Sequence, residues 1–197
     1  LGLPTPDFQI IDNRSDLAAV IDRLGSVFVK PVSEGSSVGM STATDVSSLE
    51  RAWVKAAESG VAVMAETLVD GDEFTVAILR GRPLPPIKIT PASEFYDFDA
   101  KYLSGTTQFE CPAPLNEEET AVLQALALEA FDASGAEIWG RVDLMRATSG
   151  WQLLEVNTVP GMTEHSLVPK AAAVAGLSFT ELLMEIYLGS MEVRHGA

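Results

Sequence analysis

The residues best placed for chemistry stand at alternate positions on two neighbouring segments: Arg141 and Asp143, then Glu155 and Asn157. Trp139 to Met145 and Trp151 to Asn157 alternate like strands. Thr148-Ser149-Gly150 between them reads as a three-residue hairpin loop with glycine at the left-handed position. If Ala147 pairs with Trp151, Asp143 falls opposite Glu155 and Arg141 opposite Asn157, and alternation puts all four on one sheet face. Carboxylates, an amide and a guanidinium on one face are costly to bury without partners. Two carboxylates and an amide oxygen suit Mg2+, a hard cation that shares its oxygen ligands with substrate phosphates. The alternative is a solvated sheet face with cross-strand charge pairs. The apolar residues on the other side of both strands favour the metal site.

A second group is Lys30-Pro31-Val32-Ser33-Glu34-Gly35-Ser36-Ser37-Val38-Gly39. Here a short apolar strand runs into a Gly- and Ser-rich turn with a lysine at its entrance. Glycines admit close backbone approach to an anion, hydroxyls donate to it, and lysine supplies charge. The spacing is neither that of a P-loop nor of a dinucleotide fingerprint, and a plain hairpin turn accounts for it equally well. A third group, Asn157-Thr158-Val159-Pro160-Gly161-Met162-Thr163-Glu164-His165-Ser166, follows the metal strand directly. His165 is given no role. Cys111, between Glu110 and Pro112, has no evident base and is read as inert.

The elements that must position these groups alternate between helix and strand. Ser15 to Leu24 reads as a helix closed by Gly25, and Val27-Phe28-Val29 as a strand leading to Lys30. Ser47 to Ser59 reads as a helix, Ser47 and Glu50 having capping-box spacing. Val61 to Leu68 and Glu73 to Leu79 read as strands joined by the turn Asp70-Gly71-Asp72. A long helix is predicted from the N-cap Asn116 to before Gly135, its first turn carrying Glu117, Glu118 and Glu119 at the positive dipole end. A last helix starts at Ser178, with Glu181 completing a capping box, and ends near Gly189. Pro91 to Pro114 has weak periodicity and reads as a functional lid loop.

Composition sets outer bounds. The 197 residues are 47% hydrophobic, enough for one sizeable core or two small lobes. No apolar run approaches the roughly 20 residues that span a bilayer, so no membrane partner is expected. Against 28 acidic residues there are 13 Lys and Arg, and such a surface repels a nucleic acid. The single cysteine fits a reducing compartment, with cytoplasmic location the default. The chain opens Leu1-Gly2-Leu3-Pro4-Thr5-Pro6 without methionine and reads as the middle of a longer protein.

Taken in order, the strings resemble the D-alanine–D-alanine ligases of the ATP-grasp superfamily from Lys30 to about Leu188. They are Lys30-Pro31 with Glu34 to Met40, Glu73-Phe74-Thr75-Val76, Phe95-Tyr96-Asp97, Ala100-Lys101-Tyr102-Leu103, Gly140-Arg141-Val142-Asp143, Glu155-Val156-Asn157-Thr158, and Pro160-Gly161-Met162-Thr163. The resemblance implies an α+β ATP-grasp fold in which two antiparallel sheets with flanking helices clamp the nucleotide. It implies a central lobe over 1–66, incomplete at its N-terminus, and a C-terminal lobe over 67–197 with the lid loop 91–114 and a metal hairpin 139–157. The implied reaction is ATP-dependent ligation of two D-alanines through an acyl phosphate, for peptidoglycan precursors.

The family's roles then fall on residues as follows. Lys30 and Lys101 contact phosphates, and Ser37 donates to them. Glu66 and the backbone near Val69 bind adenine, and Glu73 the ribose. Asp143, Glu155 and Asn157 hold two Mg2+ ions, for which Mn2+ can substitute. Arg141 and the Gly161 N–H stabilise the oxyanion, Ser166 holds the carboxylate of the second D-alanine, and Ser36 with Tyr102 closes the lid. Thr67 and Leu68 depart from the pattern, which has a lysine and an aromatic there. A D-alanine–D-lactate ligase, opposed by Tyr102, or another ATP-grasp carboxylate–amine ligase is the near alternative. A non-catalytic nucleotide-binding module is the distant one, opposed by Arg141, Ser166 and Lys101. The resemblance also implies a missing N-terminal domain of the same protein, without which this stretch is expected to be inactive. A homodimer would belong to the full-length enzyme, and no oligomeric state is assigned to this chain.

Overall fold

The computed structural model describes residues 2–33, 39–91 and 107–195. They fall into two units, one formed by 6–33, 39–69, 91 and 107, and the other by 2–5, 70–90 and 108–195.

In the smaller unit the alternating segment around Lys30 becomes β2 (Val27–Pro31), whose Val27 and Val29 point into a core while Phe28 and Lys30 take the other face. It is one of two inner strands of an antiparallel sheet ordered β1-β4-β2-β3, with β1 (Phe8–Ile11), β3 (Ser41–Ala43) and β4 (Val63–Thr67). Helices α1 (Leu17–Leu24) and α2 (Val46–Ala57) cover one face, and Val20, Leu24, Leu49, Ala52 and Ala56 join Val27, Val29, Val63 and Ala65 in one buried cluster. Removing such side chains from water supplies about 1.5–3 kcal/mol for each large one. Helix α1 starts two residues later than expected, because the Asp16 carboxylate accepts from the N–H groups of Ala18 and Ala19. Helix α2 is capped differently from the expectation. Its capping box joins Asp45 and Ser48, while the Ser47 hydroxyl accepts from Arg51. The Ser48 N–H donating to the Asp45 carboxylate holds that carboxyl below the usual range.

The larger unit is built on a six-stranded antiparallel sheet ordered β10-β9-β5-β7-β8, with the short β6 (Arg82–Pro83) also paired to β5. Its strands are β5 (Gly71–Leu79), β7 (Ile87–Thr90), β8 (Gln108–Glu110), β9 (Trp139–Ala147) and β10 (Gly150–Asn157). On one face Phe74, Val76, Ile78, Val142, Leu144 and Leu153 pack against Leu123, Ala127, Ala130 and Phe131 of α3 (Glu117–Ala133). As expected, α3 opens at Asn116, with a capping box to Glu119. On the other face Ala77, Leu79 and Ile87 pack against α4 (Leu167–Val174) and Leu182 of α5 (Phe179–His195).

Three expectations are corrected. The strands β4 and β5 are not a hairpin, because they belong to different sheets and different units. The unit boundary therefore falls after Val69 rather than after Glu66, with Thr67 inside β4 and the Leu68 N–H bonded to the Ser26 carbonyl. Residues 2–5 join the larger unit, where the Leu153 N–H donates to the Pro4 carbonyl and the Thr5 hydroxyl to the Leu153 carbonyl. Helix α5 runs through Gly189 to His195, and Gly189 is the point where it passes Ile138 and Arg80. Of the expected lid loop, 92–106 lies outside the described residues; its end contains β8, paired to β7, and the buried Ala113. No single helix among the described residues is long and apolar enough to cross a membrane.

Candidate active site

The face of the larger sheet that carries Ala77 and Leu79 continues along the same strands into polar residues. By alternation Glu73 and Thr75 on β5 share that face with Arg141 and Asp143 on β9. The register pairs Thr75 with Asp143, Asp143 with Glu155, and Arg141 with Asn157, the last two being the pairings expected from the sequence.

The route to that register differs from the expectation. The turn consists of Thr148 and Ser149, and Gly150 pairs with Ala147 as the first residue of β10. Trp151 therefore sits opposite Arg146, one residue off. The ladder keeps this offset to Leu153 and then shifts before Glu155, so that Leu154 is an extra residue. Without that bulge Glu155 would take the same face as Leu153, which is packed in the core.

The polar residues interlock. Arg141 donates from Nε to Asp143 Oδ1 at 2.8 Å and from Nη2 to Oδ2 at 2.7 Å. The Asn157 side-chain N–H donates to Asp143 Oδ2 at 3.0 Å and to Glu155 Oε1 at 3.2 Å. Asp143 is 5% exposed, so its charge depends on these partners. Among the described residues no group of three or more His, Cys, Asp or Glu converges, and the set here is two carboxylates and one amide.

After β10 the chain passes Gly161 and reaches Ser166 at the start of α4. The Ser166 hydroxyl does not cap that helix. It accepts from the Thr163 N–H at 3.0 Å and shares a hydrogen bond of 2.9 Å with the Thr163 hydroxyl. A side-chain carbon on Gly161 would lie 3.2 Å from it, so these two expected site residues adjoin each other. His165 is exposed. Cys111 donates weakly to the Pro85 carbonyl, and burial pushes its thiol up, consistent with an inert thiol.

In the smaller unit Lys30 and Glu66 form an ion pair of 2.7 Å, their side chains 12% and 8% exposed. The sequence assigned them separately, to phosphate and to adenine; the fold makes them partners across β2 and β4. Lys30 sits opposite Met64, and Glu66 is the next residue on that face. Val69 is half-buried at the end of the 6–69 segment of this unit. Ser36, Ser37, Lys101 and Tyr102 lie outside the described residues. Sequence reasoning missed Thr75. Its signal was a hydroxyl residue in an otherwise apolar run of β5.

A family model described as "D-ala D-ala ligase C-terminus" matches residues 1–187. The chain belongs to the D-alanine–D-alanine ligase family. D-alanine–D-alanine ligases of Saccharophagus degradans and Methylococcus capsulatus are each 50% identical to it over 188 residues. That stretch is 94% of this chain and 60% of each of theirs. Among solved structures, a D-alanine–D-alanine ligase from Bacillus anthracis superposes with a TM-score of 0.87 at 36% identity, covering 99% of this chain and 64% of that one. A second structure from the same organism, complexed with ATP, gives a TM-score of 0.84 at 31% identity. VanG D-Ala:D-Ser ligase from Enterococcus faecalis gives 0.81 at 28% identity. The chain thus has the α+β ATP-grasp fold of these ligases and spans about three-fifths of the length of its curated relatives.

Proposed function

We propose that this chain is the nucleotide-binding and catalytic part of an enzyme that joins two D-alanines with consumption of ATP, through an acyl phosphate. The observation that carries the reading is the interlocked set Arg141, Asp143, Glu155 and Asn157 on one sheet face, in a chain that the ligase family model matches over nearly its whole length.

In this reading the carboxylate of one D-alanine takes the terminal phosphoryl group of ATP, releasing ADP. The amine of the second attacks the resulting acyl carbon, and phosphate leaves as the peptide bond forms. Such chemistry asks a protein for positioning and for charge neutralisation. Arg141 and the Gly161 N–H stabilise the oxyanion of the tetrahedral intermediate, and Ser166 holds the carboxylate of the second D-alanine. Lys30, Lys101 and Ser37 hold phosphates, Glu66 and the backbone near Val69 the adenine, and Glu73 the ribose. Ser36 and Tyr102 close the site. The donor set fits Mg2+, or Mn2+ in its place. Asp143 and Glu155 offer carboxylate oxygens, and the Asn157 amide, whose N–H now bridges them, offers an oxygen once turned over. Bound there, the cation neutralises nucleotide phosphate charge. The product would enter peptidoglycan precursor synthesis in the cytoplasm, and any homodimer would belong to the full-length enzyme.

The likeness to a D-Ala:D-Ser ligase makes the second substrate the point to test. Higher identity to the D-alanine–D-alanine ligases favours D-alanine. The decisive assay replaces the matching 188 residues of the Saccharophagus degradans relative with this chain. ADP release and product are then followed with D-alanine, D-serine and D-lactate as second substrates. Mg2+-dependent D-alanyl-D-alanine is expected. ADP release without a dipeptide, or a preference for D-serine or D-lactate, would refute the assignment.

A further inference from the structure

We propose that Thr75 is a positioning residue for the cation site, fixing the Asp143 carboxylate so that one chosen oxygen faces Glu155 and Asn157. The proposal rests on the metal reading given above and assigns a function to a residue outside that ligand set. Thr75 is 1% exposed on the central strand β5, directly opposite Asp143. It is cut off from water, so a hydroxyl there needs an acceptor. Two acceptors are in reach: Asp143 Oδ1 at 2.6 Å and the Val142 carbonyl at 3.2 Å. A hydroxyl has one proton, and the shorter contact has the length of a charge-assisted O–H···O bond to an ionised carboxylate.

The consequence lies in which oxygen is held. Oδ1 is taken by Thr75 and by Arg141 Nε. Oδ2 accepts from Arg141 Nη2 and from the Asn157 N–H, on the side where that same N–H meets Glu155 Oε1. The carboxylate of aspartate turns about a soft terminal torsion. Arg141 is anchored one residue pair further along the same strand and holds the carboxylate from one side. Thr75, rising from the neighbouring strand, holds it from another, and two directions of restraint fix the plane where one would leave a swing. Partners of this kind, one shell out from a metal, set ligand orientation and change metal affinity by about 10–100-fold.

The test is Mn2+ binding to the 197-residue chain, followed by the electron paramagnetic resonance signal of free Mn2+, with thermal unfolding recorded for each variant. Thr75→Val keeps the shape and removes the proton donor; Thr75→Ser restores the donor without the methyl group. Asp143→Asn removes a ligand. The expected result is a loss of affinity of about 10–100-fold for Thr75→Val, recovery in Thr75→Ser, and no binding in Asp143→Asn. A hydroxyl needed only for packing would give the opposite order, with Thr75→Ser the weaker binder. If Thr75→Val does not fold, the comparison of Thr75→Ala with Thr75→Ser decides in its place. Affinity unchanged in Thr75→Val while Asp143→Asn loses binding would overturn the role of Thr75 and leave the cation site standing. Equal binding by Asp143→Asn and the unsubstituted chain would overturn the cation site and Thr75 with it.

Discussion

Arg141 and Asp143, two residues apart on β9 and on the same face, meet as a fork in which both carboxylate oxygens accept from one guanidinium. A strand normally holds i and i+2 side chains parallel, and arginine is long enough to fold back over its neighbour. The pair is therefore set by the strand itself and does not wait for a ligand. Hydrogen bonds to a charged group contribute about 1.5–3 kcal/mol. Arg141→Met should lower the unfolding free energy by roughly that amount, read from urea midpoints at constant slope. In an Asp143→Asn background the same change should cost much less, since the charge it compensates is gone. Equal losses in both backgrounds would show that the fork contributes nothing to stability.

Lys30 and Glu66 make the second ion pair to probe. Removing one partner of a buried pair leaves the other charge deprived of its nearest counter-ion, at a cost of at most roughly 3–5 kcal/mol, whereas replacing both with apolar residues is nearly neutral. Lys30→Met should destabilise the chain clearly, and Lys30→Met with Glu66→Leu should recover most of the loss. Nucleotide affinity, measured by calorimetry, should fall in both variants. Recovery of nucleotide binding along with stability would mean that the pair is structural only.

Gly140 precedes the fork and has no room for a side chain. A Cβ there would lie 2.7 Å from the Asn157 carbonyl oxygen and 2.7 Å from the Phe131 ring. One of these contacts is backbone, so β9 or β10 must move. Gly140→Ala should cost about 1–3 kcal/mol and should disturb the cross-strand pairing of Arg141 with Asn157. A denaturant midpoint equal to that of the parent chain would show that the two strands are freer to separate than this packing allows.

The cap of α2 separates two readings of one sequence stretch. The box is formed by Asp45 and Ser48, so Asp45→Ala should lower the thermal midpoint more than Ser47→Ala. The Asp45 carboxyl is held below its ordinary value chiefly by the Ser48 N–H. A depressed carboxyl contributes stability that is complete above its unfolded pKa and drains away as the pH falls through the folded one. The difference between Asp45→Ala and the parent chain should therefore be present at neutral pH and shrink under acid. A difference constant from neutral to strongly acid pH would remove the carboxylate from the account.

The sequence by itself determined what depends on residue type and near neighbours. The Asn116 cap and acidic first turn of α3 were legible because a helix start is decided within four residues. The chemistry of Arg141, Asp143, Glu155 and Asn157 was legible because alternation along a strand is local. The family was legible in the order of several long strings. Tertiary structure decided what depends on partners far away in the chain. The strands on either side of Asp70 look like a hairpin locally, yet each is paired in a different sheet, since burial of their apolar faces is satisfied by different helices. Glu155 reached Asp143 only because Leu154 bulges, after Trp151 and Leu153 had taken the core side. The Lys30–Glu66 pair and the Thr75 hydroxyl on Asp143 join residues 36 and 68 positions apart. No pattern along one strand carries them, because hydrogen-bond partners across a sheet follow from register, and register is settled by which faces the whole unit can bury.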